Sequence, residues 1–295
     1  MTNFKTETFE EADEYDNHSD QQYNCGLHLT KELEIKQRST VLDIGAGTGR
    51  LALHVAGLIG KDGSYFGIDL SPERINIAKK KAKELRASNL SFEIGDGTDL
   101  SRLKDGFFDA VYMNSVFHHI KDKKKVFDEC HRVLKPGGRL GFTSQVTNIP
   151  SDNVREISKT ILKNRGYNLG VSNHDNYSGT VDENSRRRYW HGIYYVSHYD
   201  NYPITVDEAR RYLEQTGFIV QNIDVRQNRV NFASSEDVVN SIINRDNRNF
   251  LRDVPSKKHS EIRNELITEF KKIETKEGIN FVNHKLYVIA EKKSN

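Results

Sequence analysis

The chain has 295 residues and a formal net charge of only +2, although 29% of its residues are charged. This balance gives no reason to expect a nucleic-acid partner, because proteins that bind nucleic acid usually carry a strongly basic surface. The two cysteines, Cys25 and Cys130, are too few for a disulfide framework or a cysteine-rich zinc site, and no metal site is predicted. No apolar run reaches the ~20 residues that span a bilayer, and the N-terminus lacks the apolar segment of a signal peptide. We therefore expect a cytoplasmic protein with no membrane partner.

Strand and helix patterns alternate through the first half of the chain, which is typical of a parallel sheet covered by helices on both faces. Ser71 and Pro72 predict the start of one helix, with the serine as N-cap and the proline in the first helical position. Another helix is predicted to end before the sequence Lys-Pro-Gly-Gly at 135–138. The predicted strands cover 39–44, 65–69, 90–94, 108–113 and 139–143, and the helices cover 51–58, a segment that starts at 72, and 123–134.

The second half of the chain is less regular. Thr205 and Glu208 form a capping box, which predicts a helix that ends near Gly217. Two further strands are predicted at 218–225 and 285–290. Helical patterns cover 151–165 and 228–280, whereas 166–202 shows no clear period.

Three glycines at alternate positions follow the first predicted strand: Gly45, Gly47 and Gly49, with Asp43 just before them. Glycine lets the backbone approach a ligand without a Cβ clash, and the free N–H groups at the start of the next helix attract an anionic group. Dinucleotide-binding enzymes use the spacing G-x-G-x-x-G, which would require glycine at position 50, where this chain has arginine. An NAD-dependent oxidoreductase therefore stays open only as a distant alternative.

Two more acidic residues follow the next two predicted strands. Asp69 ends the second strand and could accept hydrogen bonds from both hydroxyls of a ribose. Asp96 follows the third strand, where it could accept a hydrogen bond from an adenine amino group. Because the carboxyl ends of adjacent parallel strands meet at one edge of a sheet, these carboxylates should converge with the glycine turn on one crevice.

Three segments carry a resemblance to a known family: Val-Leu-Asp-Ile-Gly-Ala-Gly-Thr-Gly at 41–49, Gly-Ile-Asp-Leu-Ser at 67–71, and Arg-Val-Leu-Lys-Pro-Gly-Gly at 132–138. They resemble motifs of the class I S-adenosylmethionine-dependent methyltransferases. The resemblance covers about 39–145 and resumes at 204–226 and 284–292. It implies a Rossmann-like, doubly wound α/β fold whose seven-stranded sheet has the order 3-2-1-4-5-7-6, with only strand seven antiparallel and with helical insertions.

The same resemblance implies that S-adenosylmethionine is the cofactor. By that resemblance Gly45, Ala46 and Gly47 would hold its methionine portion, Asp69 its ribose and Asp96 its adenine. The N-terminal arm would close over the cofactor, with Tyr15 either facing the sulfonium or packing on the core. The predicted cofactor-binding residues are Asp43, Gly45, Ala46, Gly47, Gly49, Asp69, Leu70, Asp96, Gly97, Asn114, Tyr15 and Gln21.

The segment after strand four, at 114–119, bears on the methyl acceptor. It contains no proline, unlike the polar-Pro-Pro-aromatic motif usual in enzymes that methylate nucleic-acid amino groups, so a small molecule is favoured. His118 and His119 are candidate general bases, because imidazole titrates near neutral pH. Alternatively, one packs under the cofactor and the other caps the next helix. The predicted acceptor-binding residues, which could instead form a solvated basic face, are Arg188, Tyr189, Trp190 and His191.

We therefore predict a monomeric or homodimeric methyltransferase that acts on an oxygen or nitrogen atom of a small molecule by in-line displacement. Two alternatives stay open. One is a carboxyl O-methyltransferase of the trans-aconitate or juvenile-hormone-acid kind, which the second insertion loosely resembles, and the other is a non-catalytic protein that binds S-adenosylmethionine. Arsenite methylation, a neighbouring chemistry, normally uses several cysteines, more than this chain has.

The predicted organisation is one domain interrupted by insertions. Its parts are an N-terminal arm or lid at 1–38, the cofactor-binding core at 39–150, an insertion that forms a substrate lid at 151–203, a second part of the core at 204–226, a helical insertion at 227–281 and the last core strand at 282–295.

Overall fold

In the computed structural model, the described residues are 9, 12, 19–147, 154–166, 202–245, 251 and 254–294. They form a seven-stranded sheet of order β3-β2-β1-β4-β5-β7-β6. The strands are β1 (Thr40–Ile44), β2 (Ser64–Asp69), β3 (Leu90–Ile94), β4 (Phe108–Asn114), β5 (Leu134–Gln145), β6 (Phe218–Phe232) and β7 (Ile279–Lys292).

The strand pairing brings five strand ends and one strand start to the same edge of the sheet. Parallel pairs join β1 to β2 and β4, β2 to β3, and β4 to β5. β7 runs antiparallel to β5, and the ladder between them begins where Lys285, in the middle of β7, lies opposite Gln145 at the end of β5. The predicted strand order and the antiparallel seventh strand are confirmed. This shared edge is where open α/β sheets bind their ligands.

Helices connect most of the strands, and two of the predicted starts carry the expected caps. The Ser71 hydroxyl accepts a hydrogen bond from the Arg74 N–H at 3.2 Å, and Thr205 and Glu208 form the reciprocal capping box. The helices are α1 (Asp20–Glu32), α2 (Arg50–Ile59), α3 (Pro72–Glu84), α4 (Lys123–Val133), α5 (Val154–Asn164), α6 (Val206–Gln215), α7 (Ser235–Arg245) and α8 (His259–Lys271), with short 3-10 turns at Phe117–His119 and Ser256–Lys258.

Both faces of the sheet are covered, because alternate residues of a strand point to opposite sides. On one face Leu42 and Ile44 pack in a buried cluster with residues of α4 and α6. On the other face Val41 packs in a cluster that includes residues of α1, α2 and α3. With helices packed on both faces, the carboxyl edge is where a ligand is expected to bind in this fold.

β5 begins earlier than predicted. It starts at Leu134, so the Lys-Pro-Gly-Gly segment lies inside the strand and does not precede it. Phe108 pairs with Leu134 but Ala110 pairs with Arg139, so residues 135–138 of β5 lie opposite Asp109 alone and form a bulge. Proline and glycine are tolerated at such bulges because no ladder hydrogen bond is needed from them. The predicted helix stop is correct, and the strand boundary at 139 is wrong.

The last two strands are also longer than predicted. β6 continues to Phe232, beyond the predicted end at 225, and β7 begins at Ile279, before the predicted start at 285. Segment 228–280 is therefore helical only in part. The strand pattern of β6 is lost at 226–229 because all four residues are polar and show no alternation of apolar and polar side chains.

The chain divides into two compact units, and the division falls within β6 and within β7. The first comprises Met1–Asn148, Tyr194–Arg226 and Lys285–Asn295 and holds the carboxyl edge of the sheet. The second comprises Ile149–Ile193 and Gln227–His284. In it, side chains of α5, α7 and α8 share a buried cluster around Leu266 and Phe270. None of the described helices is both long and apolar enough to cross a membrane.

Candidate functional site

The glycine turn between β1 and α2 adopts a backbone conformation that glycine accommodates best. Gly45, Gly47 and Gly49 have φ angles of 84°, 55° and 76°. The N–H groups of Gly45 and Ala46 both donate to the Ile68 carbonyl of β2, at 2.7 and 2.9 Å. Gly49 is the N-cap residue of α2. The turn is therefore held against β2 and ends at a helix N-terminus, the arrangement that favours an anionic group.

The surroundings of the glycines show where a ligand could lie. A Cβ atom on Gly45 would be 2.1 Å from Cγ2 of Val116, and one on Gly49 would be 3.0 Å from Cβ of Ala78. A Cβ atom on Gly47 would meet no atom within 4 Å. Gly45 and Gly49 are thus required by packing, whereas Gly47 borders open space. The open space beside Gly47 leaves room for a ligand, and the binding of the methionine portion there stays a prediction.

Asp69 is fixed at the end of β2 by two backbone hydrogen bonds. Its Oδ2 accepts from the Gly47 N–H at 2.9 Å and its Oδ1 accepts from the Ser71 N–H at 2.9 Å. The side chain is only 9% exposed. Each carboxylate oxygen retains a lone pair for another donor, so both oxygens could receive ribose hydroxyls without rearrangement of the turn.

Asp96 and its neighbours occupy the next position along the edge. Asp96 is exposed, and its Oδ1 accepts from the Thr98 N–H at 2.8 Å. Gly97 is buried, and a Cβ there would lie 2.5 Å from Cγ2 of Ile44. Leu70 and Ile94, at the ends of β2 and β3, are 48% and 51% exposed. Exposed apolar side chains beside a carboxylate acceptor suit the flat face and the amino group of adenine.

Asp43 lies beneath the glycine turn. Its side chain is 3% exposed, and its Oδ2 accepts from the Tyr65 hydroxyl at 2.6 Å. Its Oδ1 is buried and has no hydrogen-bond partner among the described residues. Burial raises the pKa of the Asp43 carboxyl from its ordinary value of 3.8 to about 7, and the hydrogen bond from Tyr65 opposes that rise only in part. A direct role of Asp43 toward the cofactor stays a prediction.

The raised pKa predicts a pH dependence of stability. Because the folded protein holds the Asp43 proton more tightly than the unfolded chain, the free energy of unfolding should fall as the pH rises from 3.8 to about 7. Asp43→Asn has a similar shape and no ionisable proton, so it should lose less stability over that window. Urea unfolding of both proteins at about pH 5 and about pH 8 measures the difference, which should exceed ~1 kcal/mol. Equal losses in the two proteins would contradict the assignment.

The end of β4 is tied to the N-terminal arm. Asn114 donates from Nδ2 to the Gln22 carbonyl of α1 at 2.8 Å and accepts at Oδ1 from the Thr143 hydroxyl at 3.0 Å. A Cβ atom on Gly26 would be 2.9 Å from Asn114 Nδ2, so α1 crosses the strand end closely. Gln21, the other predicted arm residue, is half-buried on the same helix. The arm thus reaches Asn114 at the carboxyl edge of the sheet, and its closure over the cofactor stays a prediction.

Two residues at this edge were not predicted as site residues, Ser115 and Lys285. The Lys285 ammonium donates to the Ser115 hydroxyl at 2.6 Å and lies 3.7 Å from the Cys25 sulfur. The position of Lys285 could have been anticipated, since an antiparallel last strand starts at the edge where the parallel strands end. Nothing local in the sequence distinguishes Lys285 from the other exposed or half-buried lysines of the chain.

The two candidate bases have different environments. His118 is buried and His119 is exposed, and their ring centroids are 4.2 Å apart. Burial, together with the neighbouring His119, Lys285 and Lys123, holds the pKa of His118 well below its ordinary value. Its Nδ1 has no hydrogen-bond partner among the described residues. His118 is therefore neutral near pH 7, and its catalytic role stays a prediction, as does that of His119.

Lys123 lies close to the histidines. It is 7% exposed, donates to the Phe117 carbonyl and lies 4.2 Å from the centroid of the Phe117 ring. Burial lowers its pKa to about 7. The remaining predicted site residues, Tyr15 in the arm and 188–191 in the first insertion, lie outside the described residues, and their roles stay predictions.

The fold and the site together define a Rossmann-like domain with a glycine turn, Asp69 and Asp96 at the carboxyl edge of its sheet. A family model described as a methyltransferase domain matches residues 35–215, more than half of the chain. The chain therefore belongs to this methyltransferase domain family, of the class I S-adenosylmethionine-dependent type, and S-adenosylmethionine is its cofactor.

Comparison with individual proteins supports the same family. The chain is 38% identical over 127 residues to an arsenite methyltransferase of Aquipseudomonas alcaligenes, an overlap of 41% of this chain and 36% of that protein. It is 35% identical over 148 residues to phosphoethanolamine N-methyltransferase 1 of Arabidopsis thaliana, covering 49% and 29%. The chain thus spans about a third of the length of these curated relatives. The structure of the YcgJ protein of Bacillus subtilis shares the fold, with a TM-score of 0.58, 18% identity and coverage of 92% and 98%.

Proposed function

We propose that the protein transfers the methyl group of S-adenosylmethionine to an oxygen or nitrogen atom of a small-molecule acceptor. The observation that carries the proposal is the meeting of the glycine turn, Asp69 and Asp96 at one edge of the sheet, beside the polar end of β4. The first three features suit a nucleoside with an amino-acid tail. The polar end of β4 provides hydrogen-bonding groups that could orient an acceptor.

The residues of the chain would act mainly by binding and orientation. When bound, S-adenosylmethionine supplies a methyl group on a sulfonium, which is a good leaving group, so correct placement of the acceptor accounts for most of the acceleration. Asp69 and the glycine turn would hold the cofactor, and α1 would shield the crevice from water. A neutral His118 or the exposed His119 could accept a proton from an acceptor that arrives protonated.

The relatives differ in their acceptors, so the acceptor must be argued from this chain's own site. Arsenite is disfavoured, because arsenic binds thiolates and the chain has two cysteines, which are both buried. Burial raises the pKa of the Cys130 thiol far above its ordinary value, so this residue remains a neutral thiol. An organic oxygen or nitrogen atom is therefore the proposed acceptor.

The proposal is tested first by calorimetric titration of the purified protein with S-adenosylmethionine, S-adenosylhomocysteine and NAD. We expect heat from the two adenosyl compounds and tighter binding of S-adenosylhomocysteine than of NAD. Absence of binding to both adenosyl compounds, or tighter binding of NAD, would overturn the assignment of the crevice.

Transfer itself is tested with S-adenosylmethionine labelled in the methyl group. The protein is incubated with a small-molecule extract of cells, and the label is followed by size separation and mass spectrometry. We expect label in the small-molecule fraction, and at least severalfold less of it when Asp69→Ala replaces the wild-type protein at a limiting concentration of S-adenosylmethionine. Binding of S-adenosylhomocysteine with no labelled product from such extracts would favour the non-catalytic alternative.

A further inference from the structure

The pair formed by Lys285 and Ser115 is not among the residues assigned to the nucleoside. Lys285 Nζ donates to Ser115 Oγ at 2.6 Å, and both side chains are half-buried, so each keeps some access to solvent. In the sheet Lys285 lies opposite Gln145, the last residue of β5. The pair therefore stands at the carboxyl edge, on the acceptor side of the β4 end.

Ser115 is held in an unusual backbone conformation. Its φ is 61°, a left-handed value that costs a residue with a side chain about 1–2 kcal/mol. The Ser115 N–H donates to the Thr143 hydroxyl at 2.8 Å, which in turn donates to Asn114 at 3.0 Å. Such strain is maintained when the surrounding contacts specify it, and it is concentrated at functional sites. Here it turns the chain at the end of β4 and places the serine hydroxyl against Lys285.

The immediate neighbours keep the lysine in place. Cys25 of α1 lies 3.7 Å from its ammonium, and Tyr287, two residues along β7, has its ring 4.3 Å from the guanidinium of Arg226. Residues two apart in a strand share a face, so Lys285 is followed on that face by a buried tyrosine. A positioned ammonium of this kind loses less entropy on binding than a mobile surface lysine does.

The turn at Ser115 packs against the glycine turn that is assigned to the cofactor. Val116, the next residue, is the side chain that fills the space above Gly45, where its Cγ2 would be 2.1 Å from a Cβ atom. Ser115, which accepts from Lys285, and Val116, which packs on Gly45, are thus consecutive residues. A group bound by Lys285 and Ser115 would lie next to the place where methyl transfer occurs.

Basic side chains are grouped at the β4 end. His118 has His119, Lys285 and Lys123 as neighbours, and all three lower its pKa. Lys123 donates to the Phe117 carbonyl, whereas the Lys285 ammonium donates to the Ser115 hydroxyl. An ammonium and a serine hydroxyl side by side are suited to an oxyanion, since both donate hydrogen bonds to it.

We propose that Lys285 and Ser115 form the acceptor-binding site for an oxyanion, so that the enzyme selects small acceptors that carry a carboxylate or a phosphate. Lys285 binds one oxygen as a charged donor. Ser115 accepts a hydrogen bond from Lys285 and donates its own hydroxyl proton to a second oxygen. This inference rests on the proposed methyl transfer for its biological meaning, but the binding site itself can be tested without turnover.

The test measures anion binding by the full chain saturated with S-adenosylhomocysteine, which keeps the cofactor's own carboxylate site filled. The probes are inorganic phosphate, followed by phosphorus NMR, and isotope-labelled acetate, with acetamide as the neutral analogue of acetate. We expect the wild-type protein to bind at least one anion saturably and acetamide at least tenfold more weakly. Lys285→Met should weaken binding of the anion at least tenfold, and Lys285→Arg should retain most of the anion binding.

Two further variants guard against a general effect on folding. Ser115→Gly removes the hydroxyl while glycine tolerates the positive φ, and it should weaken the same anion severalfold. Lys292→Met removes another half-buried lysine of β7, one that donates to the carbonyls of His131 and Leu134, and it should leave anion binding unchanged. All variants should bind S-adenosylhomocysteine as the wild type does.

The outcomes separate the two proposals. If Lys285→Met weakens the binding of phosphate alone, the acceptor carries a phosphate. If it weakens the binding of acetate alone, the acceptor carries a carboxylate. Either result supports the inference. Equal anion binding by Lys285→Met and the wild type, or equal binding of acetate and acetamide, would overturn it. Failure of the wild type to bind S-adenosylhomocysteine would instead refute the proposed function.

Discussion

Asp69→Ala is expected to weaken the binding of S-adenosylhomocysteine at least tenfold, or about 1.4 kcal/mol or more. The substitution removes the carboxylate assigned to the ribose, and hydrogen bonds to a charged group contribute about 1.5–3 kcal/mol each. It also removes the acceptor of the Gly47 N–H, which is 2.9 Å away, and so loosens the turn that cradles the rest of the cofactor. Calorimetric titration gives the affinity directly.

A matched control for this variant is Asp109→Ala. Asp109 also accepts a backbone N–H, that of Thr40 at 2.8 Å, and pairs with Lys135 at 2.6 Å, but it lies at the amino-terminal start of β4, on the opposite edge of the sheet. Its loss should reduce stability without changing affinity for S-adenosylhomocysteine. Unchanged affinity of Asp69→Ala would mean that the ribose is bound elsewhere.

Gly45→Ala is expected to have the largest effect on both stability and cofactor binding. The new Cβ would lie 2.1 Å from Val116 Cγ2, and the φ of 84° is strained for any residue with a side chain. Left-handed strain costs about 1–2 kcal/mol and overpacking about 1–3 kcal/mol, so a total loss of about 3 kcal/mol is reasonable. Urea unfolding measures the loss, and the displaced turn should bind S-adenosylhomocysteine at least tenfold more weakly.

Two comparisons separate the clash from the backbone strain. Gly106 also has a positive φ, 58°, but a Cβ there would have no neighbour within 4 Å. The free energy of unfolding of Gly106→Ala should therefore fall only by the cost of the backbone strain. In Gly45→Ala/Val116→Gly the clashing side chain is absent, and part of the lost stability and affinity should return. If Gly106→Ala is as destabilised as Gly45→Ala, the contact with Val116 has no special importance.

Much of the cofactor site could be predicted because its signals are local. A left-handed turn after a buried strand favours glycine, and Gly45, Gly47 and Gly49 stand at alternate positions within five residues of sequence. Asp69 ends β2 and Asp96 lies two residues past β3, and the alternation of strand and helix predicts that these strands are parallel. The helix caps Ser71 and Thr205 are equally local, since each forms its hydrogen bond with a residue three positions later in the sequence.

The polar groups around the β4 end could not be predicted in the same way. Ser115 and Lys285 are separated by 170 residues in sequence and meet only because β7 inserts antiparallel beside β5. The unusual φ of Ser115 has no marker in its residue type, since most such positions hold glycine. Asp43 was predicted to bind the cofactor, yet its burial beside Tyr65 depends on which face of β1 it occupies.

The sequence by itself determined the order of the strands and helices, the glycine turn and the acidic residues at the strand ends, because each of these depends on interactions within a few residues. Only the tertiary structure decided the bulge in β5, the full lengths of β6 and β7, the buried state of Asp43 and His118, and the contact of Lys285 with Ser115. Burial and proximity depend on elements that are distant in sequence. Both are defined only when the helices pack on the two faces of the sheet.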